Sequence, residues 1–298
     1  MQTSTEIGRV GLWFGGWDTF SASRVRELAA EIEAMGWPIV WIPEAVGRDA
    51  MVLSSIILSA TTRLKVATGI AQIHARHPMA MKAAQNALNE GYDNRFLLGL
   101  GVSHAPMIES MRKVKWEKPY ALMKQYLADM QDAMYMGPQP SQQPPTVLAA
   151  LGPKMLELAA TAADGAHPYL QTPEHTAECR RIMGDKPLLA PEQMVILTTD
   201  ADEARTIARK NLATYMALPN YTNNLARLGY DETETKSAGG PSDRVVDAVV
   251  AWGNEDAVVA RVKAQHDAGA DHVCVQHLGA NRGDDPLPAL RRLAAALL

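Results

Sequence analysis

Side chains that can bind ligands or move protons follow two buried strand patterns in the first third of the chain. The largely apolar run at residues 65–70 leads into a loop that carries Gln72 and His74. The apolar run at residues 96–100 leads into Gly101, Val102, Ser103 and His104. Loops at the carboxyl ends of parallel strands build the active sites of α/β proteins. These two loops are therefore the first candidates for a site.

Two further candidates follow the strand patterns nearest the N-terminus. Trp13 lies at the end of the first pattern, where it could form the wall of a pocket, and Glu44 directly follows the second. Glu44 could accept a hydrogen bond from a ring or a ribose, or it could only pair with Arg48 beside a helix. His104 is equally open, since a loop histidine can act as an acid or base or only contact a hydroxyl or phosphate group.

Two glycine segments suit an anionic ligand. Gly101 would let backbone amides approach a ligand closely, with Ser103 as a hydroxyl donor. Gly152 precedes a proline at a first helical position, so the amides of Lys154 and Met155 would be free at a helix N-terminus, a natural phosphate site. The alternative is that both glycines only permit tight strand-to-helix turns.

Several enzyme classes lack their sequence motifs. The eight histidines show neither HxH nor HExxH spacing, so we expect no metal site. Residues 101–105 read GVSHA and lack the last glycine of a GxSxG nucleophile elbow, which argues against a serine hydrolase. No GxGxxG motif follows the first strand pattern, which weakens a dinucleotide-binding interpretation.

Composition and charge exclude other partners. With 29 basic and 33 acidic residues the formal net charge is −4, and no basic block is present, so we expect no nucleic-acid partner. No apolar run approaches the roughly 18 residues needed to cross a bilayer. The first eight residues lack a charged start followed by an apolar stretch, so we expect no signal peptide and a cytoplasmic protein. The two cysteines, Cys179 and Cys274, are expected to stay reduced.

The elements that must position these residues alternate along all 298 positions. Strand patterns, most of them followed by helix patterns, occur at residues 10–14, 39–42, 65–70, 96–100, 146–149, 166–170, 188–197 and 273–276. Several are continuous apolar runs, as in parallel strands buried on both faces. Eight such units favour a single-domain (β/α)8 TIM barrel over a doubly wound open sheet. Residues 219–252 fit neither a strand nor a simple helix, and we interpret them as an insertion after the seventh strand that could form a lid.

The order of motifs resembles the bacterial luciferase-like superfamily, and within it the branch of coenzyme F420-dependent oxidoreductases. The matching segments cover nearly the whole chain and include VWIPE at 40–44, ATGI at 67–70, RHP at 76–78, NRFLLGLG at 94–101, ALGPKM at 150–155 and GADHV at 269–273. The resemblance implies a TIM barrel that holds a flavin or the deazaflavin F420 at its C-terminal face.

The resemblance also implies roles for individual residues. A non-proline cis peptide, here Gly69-Ile70, would lie in a bulge behind the cofactor ring, with Gln72 and Glu44 close by. The phosphate side would be held by the loop of Val102, Ser103 and His104 and by the segment from Gly152 through Lys154 to Met155. Several relatives follow the acidic residue with a catalytic histidine, but this chain has Ala45 there. Glu44, His104 or His74 would have to substitute, or no protein acid is needed.

The expected function is hydride transfer between F420 and an unidentified small organic substrate. The first alternative is a monooxygenase that uses reduced FMN and oxygen. The second is a barrel that binds a flavin or deazaflavin without catalysis. Relatives are often dimers, so the resemblance also implies a homodimer.

Overall fold

The computed structural model describes residues 7–237, 239–281 and 283–298. The N-terminal positions on which the signal-peptide prediction partly rests, residues 1–6, lie outside the described residues. Within the described ranges, eleven parallel strands form one sheet. They are β1 Val10–Trp13, β2 Ile39–Ile42, β3 Lys65–Thr68, β4 Ala71–Gln72, β5 Phe96–Gly101, β6 Thr146–Leu148, β7 Gly165–Ala166, β8 Leu188–Leu189, β9 Glu192–Ile196, β10 Val250–Trp252 and β11 Val273–His277.

The sheet closes into a barrel. Hydrogen-bonded neighbours follow the order β9-β11-β1-β2-β3-β5-β6-β7-β8. The short strand β4 also pairs with β5, beyond the point where β3 ends. Only Ala190 and Pro191 separate β8 from β9, so chain continuity joins the two ends of this order. The predicted TIM barrel is therefore confirmed, and the carboxyl ends of its strands share one face.

Helices pack around the barrel. They are α1 Ala22–Ala34, α2 Ala50–Leu58, α3 Pro78–Gly91, α4 Ala105–Ser110, α5 Pro119–Asp132, α6 Pro153–Ala162, α7 Pro173–Met183, α8 Ala201–Met216, α9 Pro219–Arg227, α10 Glu232–Thr235, α11 Asp243–Val249, α12 Glu255–Asp267 and α13 Leu287–Leu297. Their ends follow from local chemistry. Asp49 caps α2 by accepting from the amides of Met51 and Val52, and Gly36 follows α1 with φ +94°.

Side chains from alternate strand positions fill the barrel interior. Trp13, Trp41, Ala67, Leu97 and Cys274 belong to one buried cluster there. A larger apolar cluster lies between the strands and the surrounding helices. Strands covered on both faces account for the continuous apolar runs in the sequence.

The structure corrects three sequence predictions. The strand expected at 166–170 is limited to Gly165–Ala166, and the chain then turns at Leu170 with φ +55°. The strand expected within 188–197 is broken into β8 and β9. The segment 219–252 is not irregular: α9, α10 and α11 occupy most of it, and β10 pairs with β9. Sequence patterning missed these helices because asparagines and glycines interrupt the apolar period.

Both cysteines are buried and free. In the described part of the chain, no helix is long and apolar enough to cross a bilayer.

Candidate active site

A bulge at residues 69–70 separates β3 from β4 at the C-terminal face of the barrel. Beyond β3, the Gly69-Ile70 peptide bond is cis, as the resemblance implied. The Gly69 amide donates to the carbonyl of Ile42 at 2.7 Å, and the Glu44 amide donates to the carbonyl of Ile70 at 3.2 Å. The end of β2 and the loop after it therefore hold this bulge from one side. Gly69 and Ile70 remain half-buried at the face where a ligand would lie.

Two glycines of β5 make room for the bulge from the other side. A Cβ on Gly99 would lie 1.9 Å from the carbonyl oxygen of Thr68, and a Cβ on Gly101 would lie 2.5 Å from the Ile70 side chain. The Thr68 hydroxyl also bonds the backbone of Gly99, at 2.8 Å to its carbonyl oxygen and to its amide. The need for glycine at both positions thus comes from strand packing. A direct contact between Gly101 and a ligand stays a prediction.

Glu44 is buried and every part of its carboxylate is occupied. It accepts from the amides of Ala50 at 3.1 Å and Gln72 at 2.8 Å, and Arg76 donates to both of its oxygens. The partner considered in the sequence, Arg48, instead donates to backbone carbonyls, so that pairing was wrong. Burial works against the charge of Arg76, but its bonds to Glu44 and to Asp49 keep its pKa above the ordinary value.

Gln72 is equally engaged. Its side-chain amide donates to the carbonyl of Glu44 at 2.8 Å, and its side-chain oxygen accepts from Arg112 Nε at 2.6 Å. Only 2% of the residue is exposed. Gln72 lies two residues from the bulge, as expected, but its polar atoms connect loops. A contact between Gln72 and a cofactor ring stays a prediction.

Two unpartnered polar atoms face Gly69 from inside the barrel. A Cβ on Gly69 would lie 2.7 Å from Trp13 Nε1 and 2.9 Å from His167 Nε2. Both nitrogens are buried and have no hydrogen-bond partner. His167 Nδ1 lies 2.7 Å from the carbonyl oxygen of Ala190, and burial lowers the pKa of His167 to about 4. The imidazole is therefore neutral, donates through Nδ1, and leaves Nε2 as a free acceptor beneath the bulge.

An aromatic wall runs from Trp13 across the barrel mouth to His104. Ring centroids are 5.4 Å apart for Trp13 and Tyr169, for Tyr169 and Tyr215, for Tyr215 and Tyr221, and for Tyr221 and His104. The Tyr169 hydroxyl lies 2.9 Å from the Tyr215 hydroxyl. Burial lowers the pKa of His104, against an opposing hydrogen bond with a neighbouring asparagine. His104 is therefore neutral at physiological pH.

A buried carboxyl group lies behind this wall. Glu192 on β9 is 1% exposed; its Oε2 accepts from the Leu170 amide at 3.1 Å, and its Oε1 has no partner. Burial raises the pKa of Glu192 to about 8. Glu192 is therefore a neutral acid at pH 7, and it lacks the guanidinium group and the second amide that donate to Glu44.

The N-terminus of α6 is a candidate anion cradle. Gly152 is its N-cap residue, without a side-chain cap, and open space surrounds it: a Cβ there would meet nothing closer than Arg227 Nη1 at 3.8 Å. The Met155 amide, predicted to be free, donates to the Gly152 carbonyl at 3.1 Å. Pro153 has no amide hydrogen, so the Lys154 amide and the Arg227 cation are the donors left at this helix start, a set suited to phosphate.

The remaining predicted residues divide between core and loop. Val102 and Met155 pack against the main core, and the Lys154 side chain is exposed. Ser103 has φ +63°, and its hydroxyl contacts Met107 Sδ at 3.4 Å. His74 lies near Trp116, with ring centroids 5.9 Å apart, and its Nε2 has no partner. Burial and the nearby Arg112 lower the pKa of His74.

Sequence patterning missed the contribution of the segment after β9. Tyr215 lies on α8, while Tyr221 and Arg227 lie on α9, in the region interpreted as irregular. The signal that was present is the spacing of Tyr221, Leu225 and Leu228, which is helical. Arg227 could not be assigned because only the fold brings it to Gly152.

The fold is a TIM barrel with a candidate site at its mouth, and comparison with known proteins gives its family. The model of the luciferase-like monooxygenase family matches residues 4–272. The chain belongs to this family and is an enzyme of it.

The chain is also similar to individual proteins. One, from Mycobacterium tuberculosis (Rv3520c), is provisionally named a coenzyme F420-dependent oxidoreductase; identity is 28% over 251 residues, 70% of this chain and 72% of that protein. The fold is similar to an F420-dependent secondary alcohol dehydrogenase solved with an F420-acetone adduct, with TM-score 0.75, 14% identity and coverage of 97% and 98%. It is similar to a type II Baeyer-Villiger monooxygenase of Pseudomonas putida with FMN, with TM-score 0.70, 14% identity and coverage of 96% and 95%.

Proposed function

We propose that this enzyme transfers a hydride between coenzyme F420 and a small organic substrate. The observation that carries the proposal is the bulge at Gly69-Ile70 on the same barrel face as the anion cradle at Gly152. A planar ring with a phosphate-bearing tail needs one flat backing and one anion site. The similarity to Rv3520c supports F420 as that group.

The residues present fit such a group. Gly69 and Ile70 would back the ring, and the unpartnered Trp13 Nε1 and His167 Nε2 mark a polar floor beneath it. The Lys154 amide at the start of α6, with Arg227, would hold the phosphate. F420, when bound, supplies a two-electron hydride carrier, and the protein contributes orientation and exclusion of water.

The proposal assigns unequal roles to the three acid–base candidates. Glu44 fixes the bulge through Arg76 and the amide of Gln72, so its lone pairs are not available to a substrate. His74 points its unpartnered Nε2 into a buried position beside Trp116. His104, neutral and half-buried against Tyr221, is the group we assign to hold the substrate proton.

A second candidate function is an FMN-dependent monooxygenase. The FMN-bound neighbour has the same fold, and a phosphate cradle suits FMN as well as F420. The two functions differ because reduced flavin reacts with oxygen whereas reduced deazaflavin does not.

An equilibrium titration separates the two. The protein is titrated with F420 and, in parallel, with FMN, and bound cofactor is followed by fluorescence. The proposal predicts saturable one-to-one binding of F420 at least tenfold tighter than FMN. Equal or tighter binding of FMN would favour the monooxygenase, and binding of neither would overturn both.

A further inference from the structure

A cleft opens beside the bulge, between the loop after β2 and α4. Its volume is about 250 Å³, and it is lined by Ala45, Val46, Gly47, Met107, Met111 and Arg112. Two of its apolar residues are unusually exposed, Val46 by 76% and Met111 by 61%. Large exposed apolar side chains around a cavity are typical of a binding surface.

Arg112 is the one ionisable side chain in the lining of this cleft. Its Nε donates to Gln72 at 2.6 Å, and its Nη2 makes a long contact of 3.4 Å with the Ala45 carbonyl. Both acceptors are neutral. Among the residues that the structure describes, no carboxylate lies within ion-pair distance of Arg112, whereas Arg76 on the other side of Gln72 has two.

The bond to Gln72 fixes the direction of the guanidinium group. A guanidinium carries five N–H donors in a planar fork that matches a carboxylate. Nε donates to Gln72 and Nη2 contacts the carbonyl of Ala45, a residue that lines the cleft, so the Nη groups lie at the cleft. Gln72 Nε2 also contacts Met107 Sδ at 3.5 Å, so one wall of the cleft is held by the same residue as the cation.

We propose that this cleft binds the carboxylate of a small, mostly apolar organic acid, with Arg112 as its anchor and the Met107 and Met111 side chains around its apolar body. A partly buried cation without an acidic partner favours an anionic ligand. Methionine side chains adapt to apolar groups of varied shape. The inference rests on the proposed function, because it takes this acid to be the substrate. Gln72 connects the cleft to the bulge two residues away.

The probe for the test is hexanoate, with hexanamide as the neutral analogue of the same shape. Protein with ¹³C-methyl methionine is titrated with each, and the Met107 and Met111 signals are assigned from Met107→Leu and Met111→Leu. We expect both signals to shift with hexanoate, with affinity at least tenfold higher than for hexanamide.

Arg112→Met should reduce hexanoate affinity to that of hexanamide. Lys113→Met removes the same charge from the neighbouring residue, which does not line the cleft, and should leave the affinity within twofold of wild type. Binding that ignores the carboxylate, or that survives Arg112→Met, overturns the inference. If Arg112→Met does not fold because Gln72 is released, the comparison of hexanoate with hexanamide in the wild type still decides.

The cofactor titration keeps the two proposals apart. Binding of hexanoate without binding of F420 or FMN would contradict the proposed function and leave the carboxylate site in place. Binding of F420 without binding of hexanoate would contradict only the carboxylate site.

Discussion

Two buried glutamates of the barrel show how surroundings set the role of a side chain. Glu44 has donors for both of its oxygens, because Arg76 and two backbone amides donate to it. Glu192 receives a single amide and keeps one oxygen without a partner. A buried carboxyl group without compensating donors favours the protonated form. Glu44 is thus part of the scaffold, and Glu192 is a neutral group beside the aromatic wall.

The unfolding free energy of Glu192→Gln relative to the wild type should therefore increase as the pH rises. The pKa of Glu192 is raised from 4.5 to about 8 in the folded state. Between these values the unfolded chain releases this proton and the folded chain keeps it. The wild type then loses about 1.4 kcal/mol of unfolding free energy per pH unit, and this loss ends above pH 8. The Glu192→Gln variant has no such loss, because glutamine does not titrate.

Urea unfolding of both proteins at pH 5, 6, 7 and 8 measures this difference. All other titrating groups are common to the two chains, so they cancel in the comparison. The two stability curves should diverge with rising pH. Parallel curves would show that Glu192 is ionised in the folded protein.

At the scale of residues, the sequence predicted where functional side chains lie better than it predicted their hydrogen-bond partners. Glu44 was correctly placed after a strand, but its cation was sought four residues away, at Arg48. The actual partner, Arg76, is 32 residues distant and arrives with the loop after β4. Hydrogen-bond partners between loops depend on the closed barrel, which a local pattern does not contain.

At the scale of elements, the bulge between β3 and β4 depends on the glycines of β5. Gly99→Ala should destabilise the protein by about 3 kcal/mol, because its Cβ would lie 1.9 Å from the Thr68 carbonyl oxygen and neither backbone can yield easily. Thermal and urea unfolding measure the change. Gly91→Ala is the matched control, since its Cβ meets nothing within 4 Å. Equal stabilities for both variants would contradict the packing described for β5.

The helix α9 connects the segment after β9 to the anion cradle. Arg227→Met should weaken F420 binding about tenfold, or about 1.4 kcal/mol, because a cation beside the phosphate is lost. The loss should shrink at high salt, since Arg227 is exposed and its field is screened. F420 is titrated into Arg227→Met and, as the control, into Arg181→Met, which removes an exposed arginine on α7. The comparison shows whether the loss of affinity depends on the position of the charge. Equal F420 affinities of the two variants at low salt would show that Arg227 does not bind the phosphate.

Elements were predicted where the apolar period was regular. The strand pattern at residues 39–42 matches β2 at both ends. The helices of 219–252 were missed because they are short and because α9 carries three asparagines within its span. That the insertion covers the site as a lid stays a prediction. Within it, α9 supplies Tyr221 to the aromatic wall and Arg227 to the cradle.

At the scale of the whole molecule, the alternation of strand and helix patterns was sufficient to predict the barrel. Closure cannot be read from any one segment, but eight parallel units have few other arrangements. The site combines loops after β2, β4, β5 and β6 with side chains of α8 and α9. Its composition could be predicted in part, because strand ends converge on one face, whereas the helices beyond β9 reach that face only in three dimensions.

The measurement that tests the account most directly is the F420 affinity of Gly152→Asp. Gly152 has φ −89° and open space around it, so aspartate fits. An aspartate N-cap should raise stability by only about 0.3 kcal/mol relative to glycine, while its charge repels phosphate. Gly91→Asp adds the same charge at an open position away from the cradle. The account predicts F420 binding at least tenfold weaker in Gly152→Asp than in Gly91→Asp, with thermal stability retained. Equal F420 affinities in the two folded variants would contradict the placement of the cofactor phosphate.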